Sequence, residues 1–225
     1  MNTIKLLLIS GILILPTIAW SQENQITQDP AAGEILDKVA EKTKLMKSIQ
    51  ADFELVIEDK KEKTKNSSFG TLLVKQNKYK IISQESTVLY DGKTMWTYTP
   101  DNKEVTITEP NNKGSEFLSD PASIFTFYNR DFKYRYIRET VLSGSRCHEI
   151  DLYPKNLNQP YIRIKIFISV KNEMPEIISS IGKDGVDHTV YLKNFVFDRE
   201  INDATFAFDP AKFKKVEVID MRGVE

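Results

Sequence analysis

From Ile49 to Phe197 the chain keeps returning to a two-residue apolar period, and each run ends at a turn signal. Ile49, Ala51, Phe53, Leu55 and Ile57 alternate with Gln50, Asp52, Glu54 and Glu58, which predicts a long strand with one apolar face. After a polar, lysine-rich turn at 58–68, short β-type segments follow at 70–75, 79–82, 87–90, 95–98 and 104–108. Asp91-Gly92 is a hairpin signal, because a two-residue primed turn needs φ > 0 and glycine supplies it. Further strands are expected at 132–141, 146–153, 161–170, 175–181 and 186–197, and a last one around Val216, Val218 and Ile219. Many short strands joined by tight turns confine the chain to a meandering antiparallel sheet or barrel.

Two stretches break that period. Asp29 and Pro30 read as N-cap and first helical residue. Ile35, Leu36, Val39, Met46 and Ile49 then recur at helical spacing, with Glu34, Asp37, Lys38, Glu41 and Lys42 opposite, so an amphipathic helix is expected to about residue 48. Asp120-Pro121 opens a second, short helix. Ile124, Phe125, Phe127 and Tyr128 make it apolar nearly all round, so it is either fully enclosed or covers something apolar.

A length of 225 residues suits one large domain or two small ones, and no repeat or boundary divides it. Residues 1–21 read as a secretory signal peptide: Lys5, a ten-residue apolar run too short to span a bilayer, Pro16, then Ala19-Trp20-Ser21. The mature domain is then 22–225, with 30 basic and 32 acidic residues and a charge of about −2. That balance supplies no excess of cations for nucleic acid. Cys147 is the one cysteine and makes no internal disulfide. None follows the apolar run, so no lipidated N-terminus is expected and the mature protein is placed in the periplasm. Cys147 reads as a half-buried apolar residue rather than a nucleophile.

Catalytic motifs are missing. No nucleophile elbow, phosphate loop or dinucleotide fingerprint occurs. His148 and His188 lie in separate strand-like segments without metal-ligand spacing. Asp52, Glu54 and Glu58 fit a solvated face better than an acid–base pair. No enzyme, metal or cofactor is expected. Trp96 and Tyr98 share one face of their strand, Met95 and Thr97 the other, and such aromatics fill a core or line a cavity.

The run Gly70-Thr71-Leu72-Leu73-Val74-Lys75, then Lys78-Tyr79-Lys80, then Asp91-Gly92-Lys93-Thr94-Met95-Trp96-Thr97-Tyr98-Thr99-Pro100 resembles the signature of LolA-type periplasmic carriers of outer-membrane lipoproteins. Asp120-Pro121-Ala122-Ser123-Ile124 and Asp203-Ala204-Thr205-Phe206-Ala207-Phe208 extend the likeness over nearly all of the mature chain. The resemblance implies a mainly β fold: an unclosed antiparallel half-barrel with a helical lid over a hydrophobic cavity. It implies a monomeric carrier that takes acylated lipoproteins from an inner-membrane ABC-type release complex and passes them to an outer-membrane acceptor. With it, strand alternation nominates Phe53, Leu55, Leu72, Val74, Tyr79, Ile81 and Trp96 as wall, and Ile124, Phe125 and Tyr128 as lid. The family usually continues after the lysine with Arg-Pro, and the arginine is implied to latch the lid. Here Gln76-Asn77 stand there, leaving Gln76 or Lys75 as the latch. Two other uses of such a shell are a regulator that senses lipids or lipoproteins and a carrier of another lipid.

Overall fold

The computed structural model describes residues 28–109, 131–212 and 216–223. The expected signal peptide and the short aromatic helix with Ile124, Phe125 and Tyr128 lie outside the described residues. One α-helix, twelve strands and two short 3-10 turns make up the regular structure among them. They are α1 (Pro30–Leu45), β1 (Ile49–Asp59), β2 (Thr64–Lys75), β3 (Lys78–Ser83), β4 (Thr87–Tyr90), β5 (Met95–Thr99) and β6 (Glu104–Thr108). After these come β7 (Phe132–Leu142), β8 (Ser145–Pro154), β9 (Tyr161–Ser169), β10 (Pro175–Gly182), β11 (Val186–Phe197) and β12 (Glu217–Asp220).

All twelve strands form one sheet in the order β12-β6-β5-β4-β3-β2-β1-β11-β10-β9-β8-β7. Two meanders, β1 to β6 and β7 to β11, are joined where β1 pairs with β11. Every pairing is antiparallel except that of β12 with β6. The outermost strands, β7 and β12, do not pair with each other, so the half-barrel is unclosed.

The start of α1 is built into one of those edges. Asp29 caps the helix by accepting from the Ala31 N–H. The same residue donates its own N–H to the Tyr134 carbonyl and accepts from the Tyr136 N–H through Oδ2. Gln28 donates to the Phe132 carbonyl. Chain leading into the helix thus satisfies backbone groups that β7 would otherwise offer to another strand. Ala32, Leu36 and Val39 of α1 are buried against the sheet in one core with Ile150, Leu152, Ile164, Ile166 and Ile178.

Three local expectations need adjusting. The helix stops at Leu45, because Met46 turns extended and the Lys47 N–H is taken by Asp198 Oδ1, aiming the chain into β1. Most of the polar stretch 58–68 is strand, since the β1–β2 ladder continues past the apolar residues to Asp59↔Thr64. Asp91-Gly92 does make the hairpin, with Gly92 at φ +99°, but the connection has four residues, because Tyr90 pairs with Met95. Asp91 Oδ1 accepts from the N–H groups of Lys93 and Thr94 and fixes that turn.

Candidate functional site

The face of the sheet that carries α1 can be traced strand by strand, because directly paired residues share a face. Ile49 pairs with Val74, Val74 with Tyr79, Tyr79 with Tyr90, and Tyr90 with Met95. A second row runs from Ala51 through Leu72 and Ile81 to Val88 and Thr97. Phe53 and Leu55 continue the face along β1, opposite Leu192 and Val190 of β11. Six of the nominated wall residues, Phe53, Leu55, Leu72, Val74, Tyr79 and Ile81, therefore lie on one inner face.

Trp96 does not. It pairs with Leu89 and Ile107, and both lie on the outer face. The reason is parity: Met95 inherits the inner face from Tyr90, so its neighbour must point away. Met95 and Thr97 take the place that Trp96 was expected to hold. Val88 and Tyr90 also belong to the inner face and were not among the nominated residues. Their signal was the Tyr90-to-Met95 hairpin itself, which carries the phase of β3 into β5.

Burial grades this face. Leu72, Val74 and Tyr79 are already buried in the core. Phe53, Leu55, Ile81, Val88, Tyr90 and Met95 pack against that core but remain half-buried. Within the strip, the Tyr79 hydroxyl lies 3.4 Å from Met95 Sδ, and the Tyr79 and Tyr90 rings meet at 5.1 Å. Gly70, directly across from Phe53, leaves room for that ring: a Cβ there would stand 2.6 Å from Phe53 and 2.1 Å from the Ile82 carbonyl oxygen.

The rim of this strip is polar. Beyond Val74, Lys75 donates to the Ile201 carbonyl and to Asp203 Oδ1, both at 2.7 Å, and Lys78 donates to Asp203 Oδ2. Lys75 is thus a clamp on the C-terminal segment. These two lysines hold the Asp203 carboxyl down at about 2. Gln76 is exposed at the turn with φ +56°. It lines a cleft of about 600 Å³ with Lys47, Lys75, Arg199 and Glu200. On the outer face, the 3-10 turn Asp203–Phe206 packs on β3, and Phe206 is buried outside the main core, as are Leu89 and Val105.

Two buried carboxylates elsewhere in the sheet are ion-paired. Glu149, buried on the outer face, accepts from Arg138 Nε and Lys165 Nζ, each at 2.8 Å. Burial alone would raise its carboxyl, but these two cations together hold it below the ordinary range. Asp151 accepts from Arg163 at 2.7 Å and from the Tyr153 hydroxyl. The Cys147 thiol is wholly buried, and burial pushes it up to about 11, so it is a poor nucleophile. His148 faces the Tyr136 hydroxyl on β7, while His188 sits across from Ile57 and Ser180. Among the described residues no group of three or more His, Cys, Asp or Glu side chains is placed to hold a metal. What the inner face offers is apolar area.

Residues 44–209 match the family described as Outer membrane lipoprotein carrier protein LolA. An outer-membrane lipoprotein carrier protein of Histophilus somni is 28% identical over 179 residues, covering 77% of this chain and 81% of that one. An uncharacterized protein of Methanocaldococcus jannaschii is 28% identical over 193 residues, covering 84% of this chain. The match spans only 55% of that archaeal protein's length. In fold, the chain is similar to an uncharacterized conserved protein from Thermus thermophilus (TM-score 0.55, 13% identity, 84% of this chain and 99% of that one). It is also similar to the Mycobacterium tuberculosis lipoprotein LppX (TM-score 0.50, 11% identity, 78% and 99%).

Proposed function

This chain belongs to the LolA family of outer membrane lipoprotein carrier proteins, and from that premise we propose that it carries acyl chains through the periplasm against its inner face. The observation that supports this most is the half-buried strip of Phe53, Leu55, Ile81, Val88, Tyr90 and Met95 on an unclosed sheet. A chain of about fifteen methylenes at ~0.8 kcal/mol each costs on the order of 12 kcal/mol to expose to water. A carrier across an aqueous gap must offset most of that cost with apolar wall, yet let the cargo go. Side chains that still expose area in the unloaded protein have that area left to bury on loading.

The cargo of this reading is an acylated lipoprotein, received from an inner-membrane ABC-type complex and delivered to an outer-membrane acceptor. The carrier is a monomer made of one domain, 22–225, exported by the segment 1–21. Its work is binding and release, without catalysis or a cofactor. Ile124, Phe125 and Tyr128 are the lid of this proposal, covering the strip that β1 to β5 provide.

The test is transfer. Inner-membrane vesicles loaded with a radiolabelled triacylated lipoprotein are incubated with the delipidated mature protein, and the soluble fraction is assayed for a one-to-one complex. Soluble complex is the expected result. Folded protein that leaves all of the lipoprotein in the vesicles overturns the reading. Ile124→Glu should reduce uptake while leaving the sheet's circular dichroism intact.

A further inference from the structure

At one end of the inner face the apolar area gives way to polar side chains. Beyond Phe53 and Leu55, the same file of β1 continues with Ile57, which is half-buried like them. Leu55 pairs with Ser68 and Val190, and Ile57 pairs with Asn66 and His188. His188 pairs in turn with Ser180, and Ser180 with the buried Ile164. His188 and Ser180 therefore stand side by side on the inner face, next to Ile57. Ser180 is 7% exposed and His188 is half-buried. Among the described residues neither side chain has a hydrogen-bond partner. Their neighbours on the outer face do, since the Ser179 hydroxyl lies 2.5 Å from that of Thr189. Among the described residues the unpaired side-chain polar atoms sealed from solvent are Thr108 Oγ1 and Asp151 Oδ1, so the Ser180 hydroxyl still opens onto the space over the sheet.

A hydroxyl held this far from water without a partner costs free energy, and a ligand that accepts from it recovers that cost. Ser180 offers an O–H and His188 a ring N–H. The cations near this end belong to the outer face, where Lys65 pairs with Glu58 and Lys60 with Asp187 at 2.6 Å. In the next inner rung β1 places a carboxylate, Asp59, between Thr64 and Val186. An anionic head would be set against Asp59, whereas an ester carbonyl is set against two donors. Chains leaving this point run over Leu55 and Phe53 and reach Ile81 and Val88, and all four residues are half-buried. The Phe53 ring bridges that route, because it leans over Gly70 on β2. We infer that Ser180 and His188 hold the ester carbonyls of a diacylglyceryl group whose acyl chains lie from Ile57 past Leu55 and Phe53 toward Ile81 and Val88. This rests on the acyl-carrier reading and assigns the direction of the ligand and the chemistry at its polar end. Directly paired residues of neighbouring strands stand about 5 Å apart, so both carbonyls of one glyceride can be met.

The probes are a dipalmitoyl lipopeptide, whose chains are ester-linked, and its ether-linked twin, which has the same chains and no ester carbonyls. Each is titrated into the delipidated mature protein and the two dissociation constants are compared. The wild type should bind the diester about tenfold more tightly, the effect of two hydrogen bonds. Ser180→Ala should cut that ratio to about threefold, the effect of one. Adding His188→Phe should bring it close to unity while leaving the diether's affinity in place. Thermal melts check that both variants fold, and the single variant, which removes only an oxygen, carries the test if the double one does not. Equal binding of diester and diether by the wild type, or a ratio that Ser180→Ala does not move, overturns the inference and leaves acyl carriage standing. Failure to bind either probe overturns both. Dipalmitoyl phosphatidylglycerol and its diether twin separate the sources of the ester: a preference that depends on Ser180 with this pair but not with the lipopeptides keeps the subsite and overturns the lipoprotein as cargo. Binding of free palmitate that requires His188, without a diester preference, reassigns the pair to a carboxylate and overturns the inference.

Discussion

The two halves of the inner face are both apolar, and they are finished differently. On β8, β9 and β10, Ile150, Leu152, Ile164, Ile166 and Ile178 are all 0% exposed. On β1 to β5, Phe53, Leu55, Ile81, Val88, Tyr90 and Met95 are half-buried. The first half is uniform in shape: branched aliphatics that interlock with each other and with α1. The second mixes aromatics, a thioether and a glycine, shapes that adapt. A packed half stores stability, and on the proposed function an unfinished half stores binding capacity. The same hydrophobic effect serves both, and what separates them is whether the apolar area is already taken from water in the empty protein.

Mutation should divide the two halves cleanly. Ile166→Ala removes packing that nothing else fills and should cost about 2–5 kcal/mol in a urea titration. It should leave uptake per folded molecule unchanged, and a lost uptake with full stability would erase the distinction. Gly70→Ala should cost about 1–3 kcal/mol, because the new methyl collides with the Ile82 carbonyl and the Phe53 ring. It should also lower uptake by tilting Phe53 out of the strip. Val88→Ala should cost under about 1.5 kcal/mol, since its site is only half filled, yet reduce acyl uptake several-fold. Met95→Glu should abolish uptake where Trp96→Leu, one residue away on the outer face, should not. The reverse outcome would turn the sheet's assigned faces over.

The smallest effect concerns the rim. Lys75 and Lys78 lower the Asp203 carboxyl from an ordinary 3.8 to about 2. A depressed carboxylate adds stability that is present above its unfolded value and is lost as pH falls through the folded one. The contribution should therefore fade between roughly pH 4 and pH 2. Asp203→Asn should flatten that part of the stability–pH curve by a modest amount, because the clamp is exposed and screened. An unchanged acid limb would show that the clamp contributes nothing measurable.

Local periodicity carried most of the strand and helix assignments. The eleven strands expected at 49–57, 70–108 and 132–197 form, with ends shifted by a few residues. The faces of β1, β2 and β3 were readable because the alternation from Ile49 is unbroken and Val74 pairs with Tyr79 across a two-residue turn. Trp96 was misplaced although the information was present. A two-residue and a four-residue turn after Tyr90 both leave Met95 on the face of Val88. Other features depend on contacts far apart in the chain. Nothing near Phe206 announces that it will be buried outside the main core, and nothing near Val218 that its strand will join β6 in parallel. The pairing of β1 with β11, which unites the two meanders, has no turn to signal it. The cleft is of the same kind, since Lys47, Gln76 and Arg199 meet only once that pairing has formed.

That the two ends of the sheet stay unjoined has a consequence for the range of cargo under the proposed function. In a closed barrel, strand number and stagger fix the circumference, so the interior has a set bore. Here the ladder ends at β7 and β12, and among the described residues no strand joins them. The two meanders can splay or draw together by small changes of twist between neighbouring strands, and no ladder hydrogen bond need break. Such a sheet has an adjustable gape, and under the proposed acyl-carrier function it would suit ligands with different numbers of acyl chains.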